Sequence, residues 1–313
     1  MKKPTYVLLG SLLLFVIIYF ILVQKEKKTF SPGKVENFLQ LDSASVNRIE
    51  FKKYDTRLVF QKINQQWHMI EPDSYRADKG ALGQLLSMTS RLEVGELISS
   101  NQEKQFLFQV DTLMGTGINF VAGEKLLASL VIGKLSDDYL HVYLRKTDSD
   151  DVYLAPEILN RIANRKITQW RNRAIFIFDP AQVNEIELNQ GKDKFKLTRQ
   201  DTLWQLSQYP YRESSVADGE AVEDYVKTLK EMRADNFART PEIEDVDFQK
   251  FDLLLKFTFL DGHQERLFAT RRDEEDNRYL VKTDQDKSVF ILFEHNFKRL
   301  AKKFKDFLPK EET

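Results

Sequence analysis

The chain has 313 residues, room for about two ordinary domains, and its 47 Lys plus Arg nearly cancel its 48 Asp plus Glu, for a formal net charge of −1. So balanced a surface has no global field to attract a polyanion, which excludes nucleic acid as an expected partner. With no cysteine, disulfides, thiolate metal sites and cysteine nucleophiles are excluded as well, and no cofactor is expected.

Residues 1–5 read as a short tail. From Tyr6 to Val23 run 18 residues without a charge, which as a helix span about 27 Å, close to the thickness of a bilayer's hydrocarbon core. The run ends in Lys25-Glu26-Lys27-Lys28, where a cleavable signal would carry small residues, so an uncleaved transmembrane anchor over 6–23 is expected. Lys2 and Lys3 before it are matched by Lys25, Lys27 and Lys28 after it, and the positive-inside rule decides nothing. A short tail ahead of a large body usually leaves the tail in the cytoplasm, so a single pass with the bulk of the chain on the extracytoplasmic side is expected. Residues 24–45 form a polar linker broken at Ser31-Pro32-Gly33. Within it Val35, Phe38, Leu39 and Leu41 fit either a short helix or a plain tether.

Beyond the linker the chain repeats itself. Ile49 and Phe51, Leu58 and Phe60, and Trp67 and Met69 are answered by Ile186 and Leu188, Phe195 and Leu197, and Trp204 and Leu206, each 137 positions further on, as Trp204 is from Trp67. Alternating apolar residues separated by polar turns predict an antiparallel meander with one buried face. A proline loop follows (Pro72, Pro210), then Ala77-Asp78 and Ala217-Asp218. Each aspartate stands where a helix N-cap should be. Leu82, Leu85, Leu86, Thr89 and Leu92 match Val222, Tyr225, Val226, Leu229 and Met232, a stripe at steps of three and four that predicts a helix packed on the meander.

A second β-rich half opens with Ile118, Phe120 and Gly123 against Phe257, Phe259 and Gly262. Leu130-Val131-Ile132-Gly133 reads as a strand with a turn, weakly echoed at Leu267-Phe268-Ala269. The clearest echo is Tyr143-Leu144-Arg145-Lys146-Thr147-Asp148 against Tyr279-Leu280-Val281-Lys282-Thr283-Asp284. Closing helices are predicted at about Pro156 to Arg165 and Glu294 to Phe307. The expected fold class is therefore α+β: an N-terminal transmembrane helix, then a first module over 46–171 and a second over 183–308, each an antiparallel sheet with packed helices. Trp67, Trp204, Asp78, Asp218, Tyr143 and Tyr279 mark the repeat.

Signals for chemistry are sparse. The two module tryptophans sit on the inward phase of a strand and read as core. The four histidines, His68, His141, His263 and His295, lack metal-ligand spacing. Asp148, Asp150 and Asp151, and likewise Asp273 to Asp276, read as solvated hairpin loops, because neither the glycine nor the terminal glutamate of a calcium loop is in place. There is no phosphate loop, dinucleotide fingerprint or nucleophile elbow. Lys298 to Lys305 is basic with aromatic residues at helical steps, which reads as a closing helix with a solvated face.

An N-terminal anchor followed by tandem units of W-x-[ML], proline loop, Ala-Asp, helix, Y-L-x-K-T-D and V-[YF]-[LI] resembles a bacterial family of domains of unknown function. Its members carry Trp-containing repeats and are often encoded beside gliding-motility-type ABC transporter auxiliary components. The resemblance runs from about Ile49 to Leu308 and brings no catalytic residues with it. It implies a protein partner in the envelope, an ABC transporter among the candidates. The expected function is a membrane-anchored, extracytoplasmic, non-enzymatic accessory or scaffold protein. A peptide- or glycan-binding module is the alternative, and a carboxylate-based hydrolase stands behind it.

Overall fold

In the computed structural model, which describes residues 36–271 and 277–309 together with Leu12, the alternation turns into two nine-stranded sheets. Across the first, the strands run Tyr75–Arg76, Gln66–Glu71, Thr56–Ile63, Arg48–Lys53, Thr116–Ala122, Lys125–Leu135, His141–Lys146, Val152–Pro156 and Leu97–Ser99. Across the second they run Ser215–Val216, Leu203–Gln208, Asp193–Gln200, Val183–Gln190, Leu253–Phe259, Gln264–Arg271, Arg278–Thr283, Asp286–Phe293 and Asn236–Phe237. The two orders are the same. In Leu253–Phe259 burial alternates residue by residue, with Leu253, Leu255, Phe257 and Phe259 inside, as period-two side-chain geometry requires.

By density of contact the chain divides into Met1–Arg57 with Gln84–Asn164, and Leu58–Gly83 with Arg165–Thr313. In the first unit Glu36–Gln40 pairs antiparallel with Arg91–Val94, and Phe38 sets its ring edge-on to Tyr153 with centroids 5.3 Å apart. Gly133 lies inside the Lys125–Leu135 strand, where the Phe108 carbonyl of the Gln102–Phe108 3-10 turn crosses so closely that a Cβ would collide with it. The buried Arg145 guanidinium is satisfied by carbonyls, with Nε donating to Val110 O at 2.7 Å and Nη1 to Lys146 O at 3.0 Å and Thr147 O at 3.1 Å. Burial lowers its pKa, but the bonds leave the charge solvated by protein dipoles.

In the second unit, the face of Val183–Gln190, Asp193–Gln200 and Leu203–Gln208 that carries Leu188, Phe195, Leu197 and Trp204 packs against Val222, Tyr225, Val226 and Leu229 of the Gly219–Glu231 helix. Phe297, Leu300 and Phe307 close the same core. The fully buried Tyr225 hydroxyl donates to Leu300 O at 2.6 Å, and burial pushes its pKa well up. Leu280, Val289 and Ile291 form a second cluster, covered by Ile243, Val246 and Phe248.

The expected fold class is corrected by these elements. The described residues are mostly β, 45% strand against 22% helical, rather than the α+β class expected. Periodicity missed the strands of two or three residues at the sheet edges, because alternation needs more positions than Tyr75–Arg76, Ser215–Val216, Leu97–Ser99 or Asn236–Phe237 supply. No helix among the described residues is long and apolar enough to cross a membrane. The span expected over 6–23 lies outside the described residues except for Leu12, as do Asp273 to Asp276, so the membrane-helix part of the expected fold has no support.

Smaller corrections have local causes. Phe38 and Leu39 are in a strand, neither helix nor tether. Leu92 leaves the helical stripe, because the Lys79–Ser90 helix ends before it and Arg91–Val94 is extended. The closing helices are shorter than predicted, Ile158–Ala163 and Glu294–Leu300. After Leu300 the backbone breaks into a separate 3-10 turn at Phe304–Phe307, so Lys298 to Lys305 is not one amphipathic helix.

Candidate functional site

The sequence brings Trp67 and Asp78 to one place by a short chain of backbone bonds. The Ala77 amide donates to Trp67 O at 2.9 Å and the Asp78 amide to Trp170 O at 2.7 Å. Asp78 Oδ1 then accepts from the Ala81 amide at 2.9 Å, capping the Lys79–Ser90 helix. The same pattern recurs around the other tryptophan. The Ala217 amide donates to Trp204 O at 2.8 Å, the Asp218 amide to Phe307 O at 2.9 Å, and Asp218 Oδ1 accepts from the Ala221 amide at 3.1 Å. The loops leading in carry the cis peptides Glu71-Pro72 and Tyr209-Pro210.

Beside Trp67 a cavity of about 520 Å³ opens within the second unit, a volume in the range of ligand pockets. Lys62, Arg76 and Lys79 bring cations to it, Gln65, Gln66 and Asn172 bring amides, and Trp67 and Ile177 bring apolar surface. Lys62 Nζ lies 5.2 Å from the centroid of the Trp67 ring, a cation–π distance. The Arg76 charge is compensated, since its Nε meets Asp286 Oδ2 at 2.6 Å. Lys62 and Lys79 have no ion-pair partner among the described residues. Around the cavity, therefore, two cations stand uncompensated, and the lining includes no carboxylate, imidazole or hydroxyl.

The floor next to the cavity is fixed by charge. Burial pushes the Asp286 carboxyl up, but the Ser288 amide and hydroxyl together with the Arg76 guanidinium outweigh it and hold the pKa below the ordinary value. Arg171 is stacked between Tyr75 and Phe237, its guanidinium carbon 3.6 and 3.7 Å from the two ring centroids. Its Nη2 donates to Ser288 Oγ at 2.9 Å, while its Nε has no hydrogen-bond partner. Burial lowers the Arg171 pKa. Asp78 accepts the helix cap on Oδ1 and pairs through Oδ2 with Arg233 Nη2 at 2.9 Å.

Of the repeat markers, Trp67 lines the cavity and is tied to the Ala77-Asp78 cap, and Trp204 is tied in the same way to the Ala217-Asp218 cap, whereas Tyr143 and Tyr279 make ring contacts of their own. Tyr143 packs on Phe108 with centroids 4.8 Å apart, and Tyr279 lies flat on Phe297. Among the described residues no group of His, Cys, Asp or Glu is placed to hold a metal ion. One hydroxyl, carboxylate and imidazole do meet: Ser136 Oγ donates to Asp138 Oδ1 at 2.6 Å, and His141 Nδ1 lies 2.8 Å from Asp138 Oδ2. The Ser136 hydroxyl and the Leu140 amide, with His141, hold the Asp138 pKa far below the ordinary value. Because the serine addresses the carboxylate and not the ring, this is a turn lock, without the serine–imidazole bond of a nucleophile–base pair.

Sequence reasoning passed over the cavity's polar lining, Lys62, Gln65, Gln66, Arg76 and Lys79, along with Gly83. The available signal lay in positions where the copies differ, not where they agree. No curated protein and no solved structure matches the chain. The model of a domain of unknown function, DUF4340, matches residues 67–250, more than half of the 313 residues, and the chain therefore belongs to that family.

Proposed function

We propose that this chain is a non-enzymatic binding module that serves as an accessory or scaffold protein of a bacterial envelope complex, on the extracytoplasmic side of the inner membrane. The observation that carries the reading is the cavity beside Trp67, whose lining combines uncompensated cations, amides and an indole without a hydroxyl, imidazole or carboxylate. Such a surface holds an anionic ligand in place, since donors and an aromatic plane fix orientation, and it offers none of the usual pairs of acid and base. The tandem-repeat family resemblance supplies the partner class, an ABC transporter of the gliding-motility auxiliary type. The residues matched between the two halves, Trp67 with Trp204 and Asp78 with Asp218, cap and pack, which suits a rigid platform for binding.

Crosslinking in native membranes, followed by identification of what is joined to the chain, tests this. An envelope protein, transporter component or otherwise, recovered reproducibly with the chain is the expected result. Recovery of this chain alone contradicts the accessory reading.

A further inference from the structure

The second tryptophan site shows what the first one lacks. There Glu223, on the Gly219–Glu231 helix, places one carboxylate oxygen 2.9 Å from Trp204 Nε1 and 2.8 Å from Arg199 Nη2, and the Arg199 guanidinium lies 5.0 Å from the Trp204 ring centroid. The indole N–H and the cation thus share a carboxylate from their own chain. The first site keeps the indole and the cation, with Lys62 at the place of Arg199, five residues before the tryptophan in each case. The carboxylate is gone: Gly83 stands five residues after the Asp78 cap, as Glu223 stands five after Asp218. A Cβ at Gly83 would meet nothing within 4 Å, and Trp67 makes no counterpart of the Trp204 hydrogen bond among the described residues.

The remaining differences run the same way. Gln65 and Gln66 stand where the second site has Thr202 and Leu203, Arg76 where it has Val216, and Lys79 where it has Gly219. Donors have been gathered around the opening that the missing glutamate leaves.

We propose that the cavity beside Trp67 binds a peptide carboxylate, which accepts from Trp67 Nε1 and pairs with Lys62 in the place that Glu223 fills in the second site. The inference rests on the binding-module reading and names its ligand class. A carboxylate of this kind comes either from an acidic side chain or from a chain's C-terminus, and both present the same two oxygens to the indole and the ammonium. The amides of Gln65, Gln66 and Asn172 are suited to the peptide groups that flank it, because each has a donor and an acceptor to offer.

Calorimetric titration of the full chain with three N-acetylated tripeptides separates the sources. Ala-Ala-Gln carries only a C-terminal carboxylate, Ala-Ala-Glu amide only a side-chain one, and Ala-Ala-Gln amide neither. The expected result is that at least one of the first two binds and that the third binds about tenfold more weakly or worse. Gly83→Glu, which installs the second site's own carboxylate in the first, is expected to weaken the binding peptide by about tenfold while its melting temperature stays at or above that of the parent. Lys62→Gln, which removes the cation without touching the helix, is expected to weaken it similarly. Equal binding of all three peptides, binding of none, binding of inorganic phosphate as tight as that of the acidic peptides, or unchanged binding in both variants overturns the assignment. The crosslinking result is read separately: a partner captured by a chain that binds no peptide leaves the accessory reading standing and removes only the carboxylate.

Discussion

Tyr54 is held with φ 50°, a left-handed conformation, and its counterpart 137 positions later, Gly191, has φ 61°. A side chain in that region costs about 1 kcal/mol, which glycine avoids. Tyr54 is also mostly exposed, so little packing is lost on removing it, and Tyr54→Gly is expected to raise stability by about 1 kcal/mol in denaturant unfolding. A loss of stability would show that the ring holds the hairpin. The Arg76–Asp286 pair gives a second residue-level prediction. Its side chains are only 13% and 7% exposed, so Asp286→Asn leaves a nearly buried guanidinium uncompensated and should cost about 2 kcal/mol at neutral pH. The folded pKa of Asp286 is depressed. Its contribution is therefore complete above the ordinary value of 3.8 and fades as pH falls through the lower folded value. Urea unfolding of parent and variant at pH 7 and pH 3 should show the gap narrowing in acid, and a gap that widens there would contradict the assignment.

At the scale of the element, two glycines make opposite predictions. Gly83 sits in the Lys79–Ser90 helix with open space where a Cβ would go, so Gly83→Ala should stabilise by about 0.5–1 kcal/mol through helix propensity alone. Gly133 sits in a strand crossed by the Phe108 carbonyl, so Gly133→Ala forces the backbone apart and should cost about 2 kcal/mol. Thermal unfolding of the pair distinguishes a packing role for Gly133 from the turn that its sequence context suggested. The elements that the sequence made legible are those with enough positions to show a period, such as Val183–Gln190 and the Gly219–Glu231 helix with Val222, Tyr225, Val226 and Leu229 inside. The edge strand Asn236–Phe237 was not legible, because two residues carry no period and its place is set by pairing with Asp286–Phe293 from more than fifty positions away. Nor was the break after Leu300, where Phe304 and Phe307 turn toward Phe195 and tertiary packing overrides a helical stripe.

For the molecule as a whole, repetition was legible and difference was not. Matching Trp67 with Trp204 and Asp78 with Asp218 identifies what packs and caps, because those roles are the same in both places. The candidate site depends instead on Gly83 against Glu223 and Lys79 against Gly219, substitutions that are visible in sequence but have no meaning until the tryptophan, the cation and the helix are seen to converge. In one place the chain answers its own indole and cation with a carboxylate, and in the other it leaves them open. The measurement that tests this most directly is the stoichiometry of acidic-peptide binding in calorimetry. The account predicts one site in the parent chain, none in Gly83→Glu, and a second, newly vacated site in Glu223→Ala. An unchanged single site in all three proteins would place binding elsewhere and contradict it.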